Sequence, residues 1–325
     1  MPSAITHILL VKNLQSKIYD NRLKAILASG KYFLQVGAVG PDLPYSSIAD
    51  SDLVFGDQSD LADKFHYTTT NQLPLRALEK IKNHPKSKIK ERRYAFSFFA
   101  GYISHIVADG IMHPFIRDMV GNYAENKTAH RILEMRLDVL INNYFTAQSG
   151  SPTEYNYTNI HDELKNIQDY PEVNTVVRIF KEAIKDVYNL EYESDLILDW
   201  INGLHRLLSI AEGEHPAIYR NLSILNGILF KNFKDLEANK DALLVLEKPI
   251  DGLENNFLHK QRVHFIDDCV PQFYKKFIPI LEKAYNSVYN NGEELTENDI
   301  PPIDLDTGRP LLAANNLEII PTLWS

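Results

Sequence analysis

Apolar residues recur at helical spacing along most of the chain, and the strict alternation that is typical of β-strands is scarce. The strongest pattern covers residues 92–113, where aromatic and aliphatic side chains repeat three and four positions apart. A further helical pattern begins at Leu23. Others cover about Ala129–Phe145, Val173–Tyr188, Leu196–Ala211 and Phe265–Tyr289. We therefore expect an all-α protein that folds as a multi-helix bundle.

Segments rich in glycine and proline separate these patterns, and one of them, Gly150–Pro152, divides the chain into two parts. The second part is helical in pattern and rich in Lys, Glu, Asn and Tyr, and its tail from Pro301 onward looks irregular. We expect residues 1–150 to form one helical region. We expect residues 151–325 to form a helical C-terminal extension that packs on it.

The composition is that of an ordinary globular protein with an acidic surface: 325 residues, 44% hydrophobic and 24% charged, with a formal net charge of -9. This balance argues against a broad footprint for nucleic acid or anionic membrane, because both need a basic surface. The single cysteine, Cys269, cannot form an internal disulfide, and neither a secretory signal nor a run of about 18 apolar residues is visible. We expect a cytoplasmic protein without a transmembrane span.

A His–Asp–His triple with four-residue spacing lies in the strongest helical pattern, at His105, Asp109 and His113. Four residues correspond to about 400° of helix, so neighbouring members share a face and can chelate one metal ion. Chance yields about two single pairs of this kind in such a chain, but the full triple is expected fewer than roughly 0.1 times. Pro114 predicts that the helix ends near His113, where this imidazole can turn toward a different metal ion.

A second pair, His130 and Glu134, also shares a helical face, with Asp138 one turn further on. Alone, such a pair is more often a surface ion pair than a metal site. About 17 residues separate it from His113, which is short enough for two antiparallel helices to bring the residues together. We expect His130 and Glu134 to complete a metal site with His113. Asp138 either orients a ligand or is solvated, and we prefer the second alternative.

Three further candidates are isolated in the sequence. Asp42 lies in the segment Gly37–Tyr45, where glycines and prolines impose an irregular backbone, and a plain turn is the commoner explanation for such a segment. His66 follows an acidic loop, and His7 lies near the start of the first helix. Each of these residues, taken alone, is more often a packed or exposed side chain than a metal ligand.

Taken in order, these residues resemble the zinc-dependent phospholipase C family, whose all-helical fold is shared with single-strand-specific zinc nucleases. The resemblance covers roughly residues 1–145 and rests on Gly40–Tyr45, Ser104–Pro114 and His130–Glu134. Members of the family hold three zinc ions and hydrolyse phosphodiesters. The resemblance therefore implies Zn²⁺ as the cofactor, with two or three ions per chain, and a phospholipid or another phosphodiester as the substrate.

The resemblance also implies a role for each candidate. Asp42, His66, His105 and Asp109 would hold one zinc ion, and Asp109 would bridge to a second ion that His7 also binds. Asp42 matches the carboxylate that is often proposed as the catalytic general base.

The third zinc ion would be held by His113, His130 and Glu134. In this region the chain departs from the well-studied secreted members, because four residues rather than six lead from Asp109 to His113. Those members also complete the second site with the terminal amine and carbonyl of a tryptophan, whereas this chain begins with Met1–Pro2. We expect the third site to be shifted, and the second to be weaker, completed differently or absent.

Two other functions fit the same residues. A zinc-dependent nuclease or nucleotidase would use the same metal scaffold and would stack bases on aromatic side chains such as Tyr45, Phe65 and Tyr67. A non-catalytic, metal-stabilised helical interaction protein would hold its ions in closed tetrahedral sites.

Other polar residues have metal-like spacing or cluster without a supporting pattern. His264 and Asp268 precede a helical stretch, and we interpret them as structural or surface residues. Asp304, Asp306 and Arg309 form a polar loop near the C-terminal end, to which we assign no role.

Overall fold

The computed structural model describes residues 4–49, 58–149, 166–212 and 263–325, and the structural statements below refer to these ranges. They are mainly helical and contain no β-strand, which confirms the all-α prediction. The α-helices, numbered in chain order, are α1 (Ala4–Lys12), α2 (Asn21–Ser29), α3 (Lys31–Gly37), α4 (Ser59–Tyr67), α5 (Gln72–Asn83), α6 (Ile89–Val120), α7 (Tyr123–Ser149), α8 (Val173–Tyr188), α9 (Ser194–Glu212) and α10 (Val270–Tyr289). Shorter segments of 3₁₀ or π geometry cover Asn13–Ser16, Gly40–Ala49, Asn166–Asp169, Phe265–Cys269 and Leu311–Ala313.

Helix α6 forms the centre of the fold, because every residue from Tyr94 to Ile116 is buried. A helix that is apolar on all sides needs other elements to cover it on all sides. Helices α3, α5, α7, α8 and α10 provide this cover. By length and composition α6 is also able to cross a membrane, which the sequence expectation did not allow for, but its whole apolar window is buried inside the protein. One such helix is weak evidence for a membrane span.

Helices α3 and α6 approach each other closely at two glycines. A Cβ atom at Gly37 would lie 1.9 Å from the carbonyl oxygen of Phe98, and one at Gly101 would lie 2.2 Å from the carbonyl oxygen of Leu34. No larger residue fits at these positions without moving one backbone away from the other. The two glycines therefore place the end of α3 directly beside the middle of α6.

The prediction that the helix ends near His113 is wrong, since α6 continues to Val120 with Pro114 inside it. Proline lacks the N–H that would bond to the carbonyl of Gly110 one turn earlier. In the folded protein Gly308 packs over this carbonyl, because a Cβ atom there would lie 2.5 Å from the Gly110 oxygen and 2.8 Å from Pro114 Cγ. The C-terminal tail covers the interrupted turn, and tertiary packing overrides the local preference of proline.

Three helices predicted in the second half of the chain are confirmed, at Val173–Tyr188, Ser194–Glu212 and Phe265–Tyr289, the last beginning as a π segment. Helix α8 packs on α5 and α6, α9 packs on Gly40–Ala49, and α10 packs on α5 and α6. At the start of the π segment the backbone N–H of His264 donates to Asp268 Oδ2 at 2.6 Å, which is a structural role as expected. The predicted boundary near residue 150 lies outside the described residues, so the division into two regions stays a prediction.

Candidate metal centre

Helices α1, α4, α6 and α7, together with the 3₁₀ segment Gly40–Ala49, bring the predicted ligands together in the core. Each of these side chains is buried, and the most exposed has only 7% of its surface accessible. They are His7, Asp42, His66, His105, Asp109, His113, His130 and Glu134. Because burying polar groups costs free energy unless they are paired, such a cluster requires compensating interactions.

The first group consists of Asp42, His66, His105 and Asp109. The Nε2 atom of His66 lies 3.2 Å from Asp42 Oδ1 and 3.9 Å from Asp109 Oδ2. The Nε2 atom of His105 lies 3.0 Å from the same Asp109 oxygen and 4.0 Å from Asp42 Oδ2. Two ligands of one tetrahedral zinc ion, with bonds near 2.0 Å, lie about 3.3 Å apart. The separations in this group are therefore close to those of ligands that share an ion.

His7 joins this group through the other oxygen of Asp109. Its Nε2 atom lies 3.1 Å from Asp109 Oδ1, and its ring stacks on that of His105 with centroids 4.1 Å apart. The preceding residue, Thr6, donates from both its backbone N–H and its hydroxyl to Asp138 Oδ1, each at 2.7 Å. Asp138 is fully buried, so the preferred expectation that it is solvated is wrong. It holds the start of α1 against α7.

The third predicted site lies between α6 and α7. Glu134 Oε1 lies 3.0 Å from His130 Nε2 and 3.3 Å from His113 Nε2. The same nitrogen of His113 lies 3.6 Å from Asp109 Oδ1. Asp109 thus lies close enough to a histidine of each of the three predicted sites for the two residues to bind the same metal ion.

Several nitrogen and oxygen atoms of this cluster are buried without a hydrogen-bond partner. They are His7 Nδ1, Asp42 Oδ1, His66 Nε2, His105 Nε2, Asp109 Oδ2, His113 Nδ1 and His130 Nδ1. Most buried polar atoms in folded proteins are paired. Four of these atoms, Asp42 Oδ1, His66 Nε2, His105 Nε2 and Asp109 Oδ2, face one another, which points to an ion as their common partner. A cavity of about 20 Å³ borders His7, Asp109, His113 and Glu134, which is room for one small group. Imidazole and carboxylate ligands without a thiolate suit Zn²⁺, and the residues therefore fit this ion.

Hydrogen bonds on the far side of two rings orient the histidines of the first group. The Nδ1–H of His66 donates to the carbonyl of Ala62 at 2.7 Å, and that of His105 donates to the carbonyl of Ala38 at 2.8 Å. A carbonyl oxygen can only accept, so each bond places the ring proton on Nδ1 and leaves the electron pair of Nε2 facing the carboxylates. This is the tautomer that metal ligation needs.

The electrostatics of the cluster favour cations. Burial alone would raise the pKa of Asp109, but the neighbouring histidines, foremost His105 and His113, hold it well below its usual value. Burial likewise opposes ionisation of Glu134, yet His130 and His113 lower its pKa to about 2. The pKa of His113 rises to about 10, because Asp109 and Glu134 outweigh the opposite effect of burial. Both carboxylates are therefore ionised at neutral pH.

One nearby carboxylate, Asp306, was not among the predicted ligands. It belongs to the C-terminal tail, and one of its oxygens and the imidazole nitrogens of His113 and His130 lie within 4.8 Å of one another. Arg117 on α6 donates a hydrogen bond to it. No helical spacing connects this residue with α6 or α7, so the acidic composition of its loop was the only signal available.

The fold and the cluster define an all-α protein with a buried group of histidine and carboxylate side chains that could hold metal ions. A family model described as zinc-dependent phospholipase C matches residues 6–194. Because the match covers more than half of the 325 residues, the chain belongs to the zinc-dependent phospholipase C family, and the resemblance found in the sequence is confirmed. All of the predicted ligands lie within the matched residues, whereas Asp306 lies outside them. No curated protein and no solved structure matches the chain significantly.

Proposed function

We propose that this protein is a metal-dependent phosphodiester hydrolase of the phospholipase C type that works with a cluster of two or three zinc ions. The observation that carries the proposal is that His66 Nε2 and His105 Nε2 face Asp42 Oδ1 and Asp109 Oδ2, and that all four atoms are buried without a hydrogen-bond partner. Membership of the zinc-dependent phospholipase C family supports both the ion and the class of reaction.

The ligand sets follow the three groups described above. Asp42, His66, His105 and Asp109 hold the first ion, and Asp109 with His7 holds the second. The third ion belongs to the site between α6 and α7. A zinc ion that keeps an open coordination position would supply Lewis acidity to phosphoryl oxygens and make bound water nucleophilic near neutral pH.

Asp42 is the proposed general base. It is buried in the 3₁₀ segment Gly40–Ala49, whose backbone is held by a hydrogen bond from Asp42 N–H to the carbonyl of Val39 at 3.1 Å. Its carboxylate faces His66 and has one oxygen without a hydrogen-bond partner. A carboxylate in that position accepts the proton of the attacking water while the protein keeps bulk solvent out.

A phospholipid-like substrate is preferred to a nucleic acid for two reasons. The chain carries a net charge of -9, which opposes binding of a polyanion. Of the aromatic residues considered for base stacking, Phe65 is fully buried against Tyr102 and Phe180 and belongs to the core. The alternatives remain a nuclease or nucleotidase on the same scaffold and a non-catalytic protein that is stabilised by metal.

The test uses one protein preparation, elemental analysis and two substrates, a phosphatidylcholine analogue and single-stranded DNA. We expect two or three zinc ions per chain and release of the phosphorylated head group from the lipid analogue. Replacing His105 with Ala should abolish hydrolysis and reduce the zinc content. The matched control is His84→Ala, because His84 lies outside the cluster and bonds to Glu91 at 2.8 Å.

Each alternative has its own outcome in this test. Cleavage of DNA but not of the lipid would favour the nuclease, and bound zinc without hydrolysis of either substrate would favour the non-catalytic protein. A preparation without any metal, or full activity in His105→Ala, would refute the proposal.

A cytoplasmic location is part of the proposal. It is supported by the single cysteine, which is buried and free, so that the described fold contains no disulfide that would need an oxidising compartment. Fractionation of cells that express the tagged protein would test it, and recovery from the medium would contradict it.

A further inference from the structure

The C-terminal tail, residues 301–325, is hydrogen-bonded to two of the elements that carry predicted ligands. At one side the N–H of Leu305 donates to the carbonyl of His66 at 3.0 Å, and the hydroxyl of Thr70 donates to the carbonyl of Ile303 at 2.7 Å. At the other side the indole of Trp324 donates to the carbonyl of Ile111 on α6 at 3.0 Å. The tail is therefore held in register with both α4 and α6.

Asp306 lies in a tight loop within this tail. The loop is closed by two hydrogen bonds to Asp304, from Thr307 N–H to the side chain and from Gly308 N–H to the backbone carbonyl, each at 2.8 Å. Gly308 has a φ of +65°, a left-handed conformation that favours glycine at this point of the loop. The position of Asp306 is thus determined by its own loop as well as by the packing of the tail.

The carboxylate of Asp306 is directed toward the third predicted site. Only 8% of the residue is exposed, and one oxygen lies within 4.8 Å of the imidazole nitrogens of both His113 and His130. The Nε2 atoms of both rings also lie near Glu134 Oε1, at 3.3 Å for His113 and 3.0 Å for His130. Arg117 bonds to Oδ2 of the same carboxylate, an outer contact of the kind that orients a ligating carboxylate.

We propose that Asp306 is a further ligand of the third zinc ion, beside His113, His130 and Glu134. This inference rests on the proposed zinc centre. Three protein ligands leave a tetrahedral zinc ion with an open position, and a fourth closes it. The third site would then be a closed site that ties the C-terminal tail to α6 and α7, and its last ligand comes from outside the residues that match the family.

The test compares Asp306→Asn with Asp304→Asn. Both changes remove one negative charge from the same loop, but Asp304 bonds to Thr307 and is not part of the group around His113. Zinc content is measured on the full chain during titration with a chelator. We expect Asp306→Asn to release one ion at a chelator concentration that leaves the unchanged protein and Asp304→Asn loaded, with an affinity lower by about 10-fold or more.

A second variant keeps the test decisive if Asp306→Asn folds poorly. In Asp306→Cys loaded with Co²⁺, a ligating thiolate adds a sulfur-to-cobalt charge-transfer band, which Asp304→Cys should lack. Unchanged zinc affinity in Asp306→Asn, or no such band in Asp306→Cys, overturns the inference while the zinc centre stands. Absence of zinc from the unchanged protein overturns the proposed function itself.

Discussion

The Nδ1–H of His105 donates to the carbonyl of Ala38 at 2.8 Å, and this bond exists because α3 and α6 touch at Gly37 and Gly101. The contact between the helices is thereby linked to the orientation of a predicted ligand. Gly101 lies one turn before His105 on α6. The close packing of Gly37 and Gly101 therefore sets the direction in which Nε2 of His105 points.

The first prediction concerns this helix contact. In Gly37→Ala the new Cβ atom would lie 1.9 Å from the carbonyl oxygen of Phe98, so α3 must move away from α6. We expect the free energy of unfolding to fall by about 1–3 kcal/mol, as for other overpacked cores, and zinc to bind more weakly because His105 loses its bond to Ala38. Chemical denaturation and chelator titration measure the two effects.

The matched control for this prediction is Gly292→Ala. A Cβ atom there comes no closer than 3.0 Å to its neighbours, in the segment that follows α10 and away from the ligands. Its zinc affinity should equal that of the unchanged protein. Equal zinc affinities in all three proteins would contradict the link between the helix contact and the ligand.

The second prediction concerns Asp138, which holds the residue before His7. Asp138→Ala removes the acceptor of two buried hydrogen bonds from Thr6. We expect a loss of stability of at least about 1 kcal/mol and a weaker second zinc site, because α1 is no longer held at the distance that brings His7 to Asp109. The control Thr6→Ser keeps both donors. If it loses as much zinc as Asp138→Ala, the hydrogen bonds are not the cause.

The third prediction concerns pH and the protein stripped of metal by a chelator. The pKa of His113 is raised from 6.5 to about 10, so its contribution to stability is complete below pH 6.5 and is lost as the pH rises through about 10. The pKa of Glu134 is lowered from 4.5 to about 2, so its contribution is present above pH 4.5 and is lost as the pH falls through about 2. Both contributions are complete between pH 4.5 and pH 6.5. We therefore expect the urea midpoint of unfolding to fall below pH 4.5 and above pH 6.5.

Zinc and His113→Gln serve as controls for the alkaline decline. Zinc binds neutral imidazole, so the loaded protein should not lose stability in this way between pH 6.5 and 10. The variant His113→Gln, stripped of metal, should lack the alkaline decline as well. An unchanged slope in His113→Gln would show that other groups cause it.

The sequence predicted the helices well, because burial of apolar faces governs both the pattern and the fold. Val173–Tyr188 was predicted with the bounds that α8 has. The triple in α6 was also visible, since ligands one turn apart repeat within a single element. His7 and His66 carry no such local pattern, and only their order along the chain, matched to a family, made them candidates. Their assignment as ligands stays a prediction.

What the sequence did not reveal depends on partners far away in the chain. Helix α6 continues through Pro114 because Gly308 covers the helical turn between Gly110 and Pro114. Asp138 is buried because Thr6 meets it across 132 positions. Asp306 reaches the centre only because the tail folds back over α4 and α6. Periodicity describes one element at a time and therefore cannot report contacts of this kind.

The deep burial of the predicted ligands, none more than 7% exposed, also bears on how a bound metal ion would be exchanged. An ion bound at such a depth would leave only when an element that covers it opens, so we expect its residence time to depend on the rate of local opening as well as on the strength of its bonds. Isotopic exchange of zinc in the folded protein would then measure how often an element that covers the cluster, such as α1 or the C-terminal tail, opens locally.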